Sequence, residues 1–170
     1  MNDELLDTVN SHDEIVGTQL RSKVHAQALT CFRAINGLII NDQGKLWIPR
    51  RTQDKELYPL ALDASVGGHV SSGENYDQAF ERELYEELNL RLEEQVYEMA
   101  GKLTPAQNKT SAFMQIYIIW SNQEPDYNRS DFCEFYWITP DEFLNNTIHS
   151  EYVKSDLPII IKFIQTKYNL

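Results

Sequence analysis

The chain has 170 residues, of which 26 are acidic and 15 are Lys or Arg, so its formal net charge is −11. This length is typical of one domain with a substantial core, and the 42% of hydrophobic residues exclude a disordered chain. A chain this acidic lacks the basic surface that binds nucleic-acid polymers, whereas small phosphorylated ligands fit because a bound cation reverses the local field.

Runs of branched and aromatic residues, separated by polar turns, predict a series of strands and helices. In chain order these are a hairpin or strand within residues 3–24, strands at 29–40, 45–51 and 64–70, a helix at 75–88, strands at 95–103, 112–120 and 135–138, a short helix opening at 139–142, and a helix at 156–168. The turn chemistry of residues 41–44 predicts a hairpin between the first two of these strands, and 52–59 is expected to be a loop. Strands mixed with few helices predict an α/β (α+β) domain spanning residues 1–170, with helices on both faces of its sheet.

The N-terminus and the cysteines indicate a cytoplasmic protein. Residues 1–7 are acidic and lack the cationic start and long apolar run of a signal peptide. The sequence also has no apolar stretch that approaches the length of a membrane span. Cys31 and Cys133 lie among apolar neighbours, so we expect two buried thiols, and the absence of a CxxC spacing argues against a zinc site.

The helix predicted at 75–88 carries the residues of greatest chemical interest. Asn75 is a suitable N-cap, and Phe80, Leu84 and Leu88 recur at helical spacing to form one apolar stripe. The stripe predicts that this face of the helix packs against the core of the domain.

Three carboxylates lie beside that stripe. Glu83 and Glu87 fall at its edge and Glu86 flanks them, at about 100° of rotation per residue. Like charges at this spacing cost about 0.2–0.5 kcal/mol in water and more when desolvated, and a hard divalent cation removes that penalty. The alternative for an isolated ExxEE is a solvated acidic face.

The carboxylates belong to a longer pattern that resembles the Nudix box, G-x5-E-x7-R-E-U-x-E-E-x-G-U, where U is a bulky aliphatic residue. The matching positions in this chain are Gly68, Glu74, Arg82, Glu83, Leu84, Glu86, Glu87 and Leu90. The departure is Asn89 in place of the last glycine. That position requires a left-handed conformation, which Asn adopts most readily after Gly.

The resemblance implies a Nudix-type α/β/α sandwich with a mixed β-sheet and a box at residues 68–90. It also implies a hydrolase that uses Mg²⁺ or Mn²⁺ to cleave a diphosphate linkage, in a nucleoside di- or triphosphate or a related small phosphorylated molecule. The metal ligands implied are the carboxylates of Glu83, Glu86 and Glu87 and the main-chain carbonyl of Gly67. By the same resemblance Glu86 is a further ligand or the water-activating base, while Arg82 and Glu74 orient the glutamates.

Several further segments, 13–18, 24–25, 47–51 and 64–69, carry a second resemblance. Through them residues 3–90 look like a Nudix subgroup related to isopentenyl-diphosphate isomerase. The isomerase has a catalytic cysteine directly before the box glycine, where this chain has Gly67. His25 and His69 match two positions of the isomerase's histidine-rich metal site, but Phe32 stands at a third. Hydrolysis is therefore favoured over isomerisation. An isomerase-like enzyme and a non-catalytic Nudix-fold sensor are the alternatives. We expect both histidines to be ordinary structural or surface residues.

A basic cluster indicates where a phosphate would bind. Arg50, Arg51 and Lys55 follow one another at a strand end and its loop, and in the related isomerase the positions of Arg51 and Lys55 hold the diphosphate. A solvated basic stretch is the alternative.

Other candidate residues lie later in the chain. Asp131 and Glu134 are candidates for an additional general base. Four aromatic residues would either contact the substrate or pack in the core: Phe113, Tyr117, Tyr127 and Trp137.

Overall fold

A mixed β-sheet lies at the centre of the molecule in a computed structural model that describes residues 3–170. The strands are β1 (Leu5–Val9), β2 (Ile15–Leu20), β3 (Arg33–Ile40), β4 (Leu46–Arg51), β5 (Val66–His69), β6 (Val96–Leu103), β7 (Phe113–Trp120) and β8 (Phe132–Ile138). β1 and β2 form a separate antiparallel hairpin. The main sheet has the order β6-β7-β3-β4-β8, with β5 paired to β3. Among the named strands of the described residues, β3 and β7 pair in parallel and the other pairs are antiparallel, which confirms the mixed sheet.

The helices of the described residues are α1 (Arg21–Ala26), α2 (Tyr76–Leu88), α3 (Pro105–Asn108), α4 (Pro140–Glu142), α5 (Ile148–Ser150) and α6 (Leu157–Tyr168). A π-helical turn (Phe143–Thr147) joins α4 to α5, and a 3₁₀ turn (Leu92–Glu94) precedes β6. The sequence did not predict α1 and α3, because such short helices have no apolar periodicity. Within residues 3–170 no helix is both long and apolar enough to cross a bilayer.

Alternate residues of β3 face two separate cores. Ile35 and Ile39 pack with α2 on one face of the sheet, whereas Leu38 and Ile40 pack with α6 on the other. This alternation follows from the two-residue repeat of a strand. The predicted three-layer α/β/α arrangement is therefore confirmed.

Helix α2 begins and ends as its sequence predicts. The side chain of Asn75 accepts a hydrogen bond from the Gln78 N–H at 2.9 Å, and the Gln78 side chain accepts one from the Asn75 N–H at 2.9 Å. At the other end Asn89 adopts a left-handed conformation with φ of 53°. Both termini hold α2 in a fixed register against the sheet.

The predicted hairpin between β3 and β4 is only partly correct. The turn at 41–44 forms, but the two strands pair only through Ile40 and Leu46. Beyond this point β3 pairs with β5 while β4 pairs with β8, so the strands diverge as a fork. Beyond the fork, β5 takes the place beside β3 that β4 would occupy in a continuous hairpin.

The prediction of two buried thiols is wrong. Cys133 is exposed and Cys31 is only half-buried. Phe132 points into the core from β8, but the register of β8 shifts at Cys133, which has no opposing residue on β4. At this bulge Cys133 and Glu134 both lie outward. The apolar neighbours of Cys133 are therefore no guide to its own burial.

Ser65 spans the fork between β3 and β4. Its hydroxyl accepts a hydrogen bond from the Ile39 N–H at 2.9 Å and donates one to the Trp47 carbonyl at 2.6 Å. Ser65 is fully buried, so these main-chain groups have no access to bulk water as a substitute. One hydroxyl thus satisfies the main chain of both diverging strands.

Replacing Ser65 with Ala should lower the free energy of unfolding by about 1–3 kcal/mol, because two buried main-chain groups lose a partner. Urea denaturation followed by circular dichroism measures this change. The control is Ser150→Ala at an exposed hydroxyl, where we expect a change within about 0.5 kcal/mol. A Ser65→Ala variant as stable as the wild type would show that the fork does not depend on this bridge.

Candidate active site

Two glutamates of α2 lie against the glycine pair of β5. A carboxylate oxygen of Glu87 accepts a hydrogen bond from the Gly67 N–H at 3.0 Å. The Glu83 carboxylate lies directly over Gly68, where an added Cβ would be 1.9 Å from its Oε1 atom. Residue 68 must therefore be glycine for the Glu83 carboxylate to occupy this position.

Burial makes these carboxylates difficult to ionise. Burial raises the pKa of Glu83 to about 7, although the charge of the Arg82 guanidinium opposes the shift. Burial, and then the neighbouring charge of Glu83, raise the pKa of Glu87 well above its usual range. Two negative charges in one desolvated site are the arrangement that a divalent cation stabilises.

Arg82 holds the carboxylates through most of its donors. Its guanidinium binds both oxygens of Glu74, at 2.8 and 2.9 Å, and one oxygen of Glu83 at 2.7 Å. It also donates to the His69 carbonyl at 3.0 Å and lies 3.4 Å from the exposed Glu86 carboxylate. The planar fork of an arginine thus fixes the orientation of Glu83 relative to β5.

The N-terminal hairpin supports the loop that leads into α2. Asp7 is buried and accepts hydrogen bonds from the Ser72 hydroxyl at 2.6 Å and the Gly73 N–H at 3.2 Å. Glu4 accepts one from the Ser71 hydroxyl at 2.7 Å. The sequence predicted the hairpin but not this role, because the partners lie more than sixty residues away along the chain.

The donor set fits a hard divalent cation. Glu83 and Glu87 supply two carboxylates, but within residues 3–170 no three His, Cys, Asp or Glu side chains converge to enclose a metal ion. Glu86, the third expected ligand, is exposed and directed towards Arg82. Mg²⁺ commonly binds one or two carboxylates and completes its shell with water and substrate phosphate, which is the mode these residues suit.

A cavity of about 510 Å³ opens beside the two glutamates, at the fork of the sheet. Glu83, Glu87 and the glycine pair form part of its lining. Four cationic side chains also line it: Arg21, Arg51, Lys55 and Lys154. The carboxylates of Glu4 and Asp156 line the cavity as well. The cavity therefore carries charges of both signs, which suits an anionic ligand together with a cation.

The predicted basic cluster is divided by the structure. Arg51 and Lys55 line the cavity, and Lys55 forms an ion pair with Asp131, one of the two base candidates. Arg50 lies outside the cavity lining and pairs with Glu134, the other candidate, and with Glu151 at 3.0 Å. The difference arises because adjacent residues of β4 point to opposite faces of the sheet.

The two histidines lie together in the wall of the cavity. The Nε2 atoms of His25 and His69 are 3.0 Å apart, and Phe32 stacks on His69 with ring centroids 5.5 Å apart. Burial lowers the pKa of His25 and lowers that of His69 to about 3, so the pair is neutral and one ring donates to the other. They are cavity residues rather than surface residues, which the sequence alone did not indicate.

The four aromatic candidates do not line this cavity. Tyr117 stacks on Phe80 with centroids 3.9 Å apart, and Tyr127 packs against Trp47 in the same core. Phe113 and Trp137 are half-buried outside the cavity lining. Core packing therefore accounts for Tyr117 and Tyr127.

Sequence reasoning missed Asp63 and Lys154. The buried carboxylate of Asp63 binds Arg51 at 2.8 Å and Lys154 at 3.1 Å, and both cations line the cavity. The one available signal was an acidic residue between the apolar Leu62 and Ala64. Nothing in the sequence around Lys154 distinguishes it from a solvated lysine.

Residues 32–156 match the NUDIX domain family. The chain belongs to the Nudix family. It is 46% identical to the uncharacterized Nudix hydrolase all7351 of Nostoc sp. over 97% of this chain and 96% of that protein. The crystal structure of DR0079 from Deinococcus radiodurans, 40% identical, superposes with a TM-score of 0.88 over 94% of this chain and 98% of that one. A more distant match is isopentenyl-diphosphate Delta-isomerase of Rhizobium rhizogenes, 33% identical over 51% of this chain and 44% of that protein.

These relationships make the chain a Nudix hydrolase and confirm both the fold and the resemblance to the isomerase-related subgroup. Nudix hydrolases generally use divalent metal ions, and their substrates are small phosphorylated molecules. In this Nudix hydrolase the partly buried Glu83 and the buried Glu87 line the same cavity as the four cationic residues.

Glu87→Gln should stabilise the metal-free protein at pH 8, because it removes a buried charge and keeps an acceptor for the Gly67 N–H. A raised folded-state pKa means that ionised Glu87 costs stability. The cost is absent at low pH and appears as pH rises from the ordinary glutamate value through the folded-state pKa. Thermal denaturation in EDTA at pH 5 and pH 8 measures the gain, which should appear mainly at pH 8.

The matched control is Glu81→Gln, which removes one charge from the exposed side of the same helix. No comparable gain is expected there. If Glu87→Gln were less stable than the wild type at pH 8, ionised Glu87 would be part of the structural support of the fold.

Proposed function

We propose that this Nudix hydrolase cleaves a diphosphate linkage in a nucleoside di- or triphosphate or a related small phosphorylated molecule, with Mg²⁺ or Mn²⁺ as its cofactor. The observation that supports this most directly is the buried pair of Glu83 and Glu87. Their charges repel each other in a desolvated site beside a cavity lined by four cations. A metal ion on the pair and a diphosphate in the cavity would satisfy both sets of charges.

In this proposal the metal ligands are the side chains of Glu83, Glu86 and Glu87 and the carbonyl of Gly67. The bound cation supplies a Lewis acid and lowers the pKa of a coordinated water. Glu74 and Arg82 keep the Glu83 carboxylate in one orientation, and the Gly67 N–H does the same for Glu87. The geometry of the site is thus established before substrate binds.

Hydrolysis requires a water to attack phosphorus while the bridging P–O bond breaks. The attacking water must give up a proton, and the residues we propose as acceptor are Glu86 or Asp131, whose charge contributes to the raised pKa of Glu87. Glu86 is exposed beside the metal pair, whereas Asp131 pairs with Lys55. Arg51 and Lys55 hold phosphate oxygens, and Arg50 is at most an indirect contributor because it lies outside the cavity lining.

Two alternatives are less well supported. An isomerase-like activity requires a thiol at residue 67, where the glycine has no side chain. The histidine pair also has the apolar ring of Phe32 beside it, which cannot act as a third ligand. A non-catalytic sensor has no need of Glu83, Glu86 and Glu87 together with Arg82 and Glu74, and this chain keeps them all.

Hydrolysis should require Mg²⁺ or Mn²⁺ and should be lost in excess EDTA. Glu83→Gln and Glu87→Gln should each reduce turnover at least about 10²-fold, equivalent to about 2.7 kcal/mol of barrier, because each removes one metal-binding charge. The assay is release of phosphate or pyrophosphate from a panel of diphosphates, with Glu81→Gln as the control. Full activity in EDTA, or unchanged turnover in both variants, would remove the proposal.

With isopentenyl diphosphate the protein should form no dimethylallyl diphosphate, because residue 67 offers no thiol to transfer a proton. Proton NMR of the reaction mixture with Mg²⁺ or Mn²⁺ distinguishes the two isomers directly. Appearance of the dimethylallyl product at a catalytic rate would rank isomerisation above hydrolysis.

A further inference from the structure

Asp63 organises two cations at one end of the cavity. Its carboxylate binds Arg51 Nη1 at 2.8 Å and Lys154 Nζ at 3.1 Å, although these residues lie 12 and 91 positions away along the chain. Asp63 is only 3% exposed, whereas both cations line the cavity. Two positive charges share the one negative charge of Asp63, so its carboxylate neutralises only one of them. The carboxylate of Asp156, which also lines the cavity, accepts hydrogen bonds from the N–H and the hydroxyl of Ser111.

The cations are held in place by more than Asp63. Arg51 also donates from Nε to the Leu57 carbonyl at 3.1 Å. The main chain at Lys154 is anchored because its N–H donates to the Leu62 carbonyl at 3.0 Å. Such fixed donors lose little conformational entropy when an anion binds, and Arg51 still has guanidinium N–H groups to offer.

The wall behind the two cations is closed. Ala61, Leu62, Asp63 and Ala64 are each at most 3% exposed, so no channel leads past Asp63 through this segment. A phosphate bound by Arg51 and Lys154 therefore has protein on the side of Asp63. A second group attached to the phosphate on that side would have to occupy space that the buried segment fills.

Resting on the proposed function, we propose that Arg51 and Lys154, positioned by Asp63, bind the free terminal phosphate of the substrate. We call these three residues the terminal-phosphate clamp. The clamp selects molecules that end in an unsubstituted phosphate, such as nucleoside diphosphates. It disfavours molecules whose diphosphate carries a substituent at both ends, such as nucleotide sugars. Lys154 is thereby a substrate-binding residue, and Asp63 is a positioning residue.

Two non-hydrolysable probes test the clamp in the wild-type protein. Both are methylenediphosphonates: one has a methyl ester on a single phosphonate and keeps the other end free, and the other has a methyl ester on each phosphonate. Isothermal titration calorimetry with excess Mg²⁺ gives the dissociation constant of each. We expect the monoester to bind at least tenfold more tightly than the diester. Equal affinities would overturn the proposal, as would a monoester that does not bind.

Lys154→Met tests whether the lysine causes this preference rather than the overall charge of the probes. Met keeps much of the aliphatic stem and removes the charge, so monoester binding should weaken about ten- to hundredfold. The ratio of the diester dissociation constant to that of the monoester should then fall towards one. Lys154→Arg keeps a phosphate-binding charge and should retain most of the affinity. Lys162→Ala, on the exposed side of α6, removes a lysine outside the clamp and should bind both probes like the wild type.

Lys154→Met leaves Asp63 with one cation, so thermal denaturation must show that the variant is folded. If it is not, the wild-type probe ratio and the binding of Lys154→Arg decide the question. A folded Lys154→Met protein with the wild-type ratio would overturn the clamp. Since the probes are not cleaved, binding and hydrolysis are tested separately. If the monoester binds at least tenfold more tightly than the diester but no diphosphate is hydrolysed, the proposed function alone is wrong. If diphosphates are hydrolysed but the two probes bind equally tightly, the clamp alone is wrong.

Discussion

The structure depends on the close approach of Glu83 to Gly68. Helix α2 must lie near enough to β5 for a carboxylate to occupy the space of a missing Cβ, and this distance brings Glu87 to the Gly67 N–H. The capping box and the left-handed Asn89 fix the register of α2, and Arg82 fixes the rotamer of Glu83. Burial of like charges is unfavourable, so stability is given up here for a preorganised pair of carboxylates, which in the proposed function binds the metal ion.

The sheet is arranged so that this pair has a cavity beside it. In a continuous hairpin β4 would take the place beside β3 that β5 occupies, and the glycine pair of β5 could not lie there against α2. The strands separate after Ile40 and Leu46, and Ser65 satisfies both of them at the point of divergence. The divergence that admits β5 is therefore supported by hydrogen bonds of its own.

The features that the sequence predicted are those encoded locally. Helix α2, its caps and its carboxylates lie within fifteen residues, where periodicity and spacing are directly readable. Most strands were also found from their apolar runs, although β8 starts at Phe132 rather than 135 and β3 at Arg33 rather than 29. The fork could not be predicted, because pairing partners are chosen by the whole sheet.

The lining of the cavity was likewise predicted only in part, because it also depends on contacts between distant parts of the chain. Arg51 and Lys55 were found through a family resemblance, whereas Lys154 and Asp63 are brought together only by the chain path. The sequence also could not show which of the neighbours Arg50 and Arg51 lines the cavity. Adjacent residues of β4 point to opposite faces of the sheet, and the structure shows that Arg51 is the one in the lining.

The contacts of Asp7 have a consequence for where the cooperative folding unit begins. The family match starts at residue 32 and stops at residue 156, yet Asp7 braces the loop that leads into α2, and Ile160, Ile161 and Ile164 complete one of the two cores. A fragment cut to the matched boundaries would expose an apolar sheet face and leave the Ser72–Gly73 loop without its acceptor. Domain limits drawn from family similarity are thus narrower than the autonomous unit that keeps Glu83 and Glu87 in place.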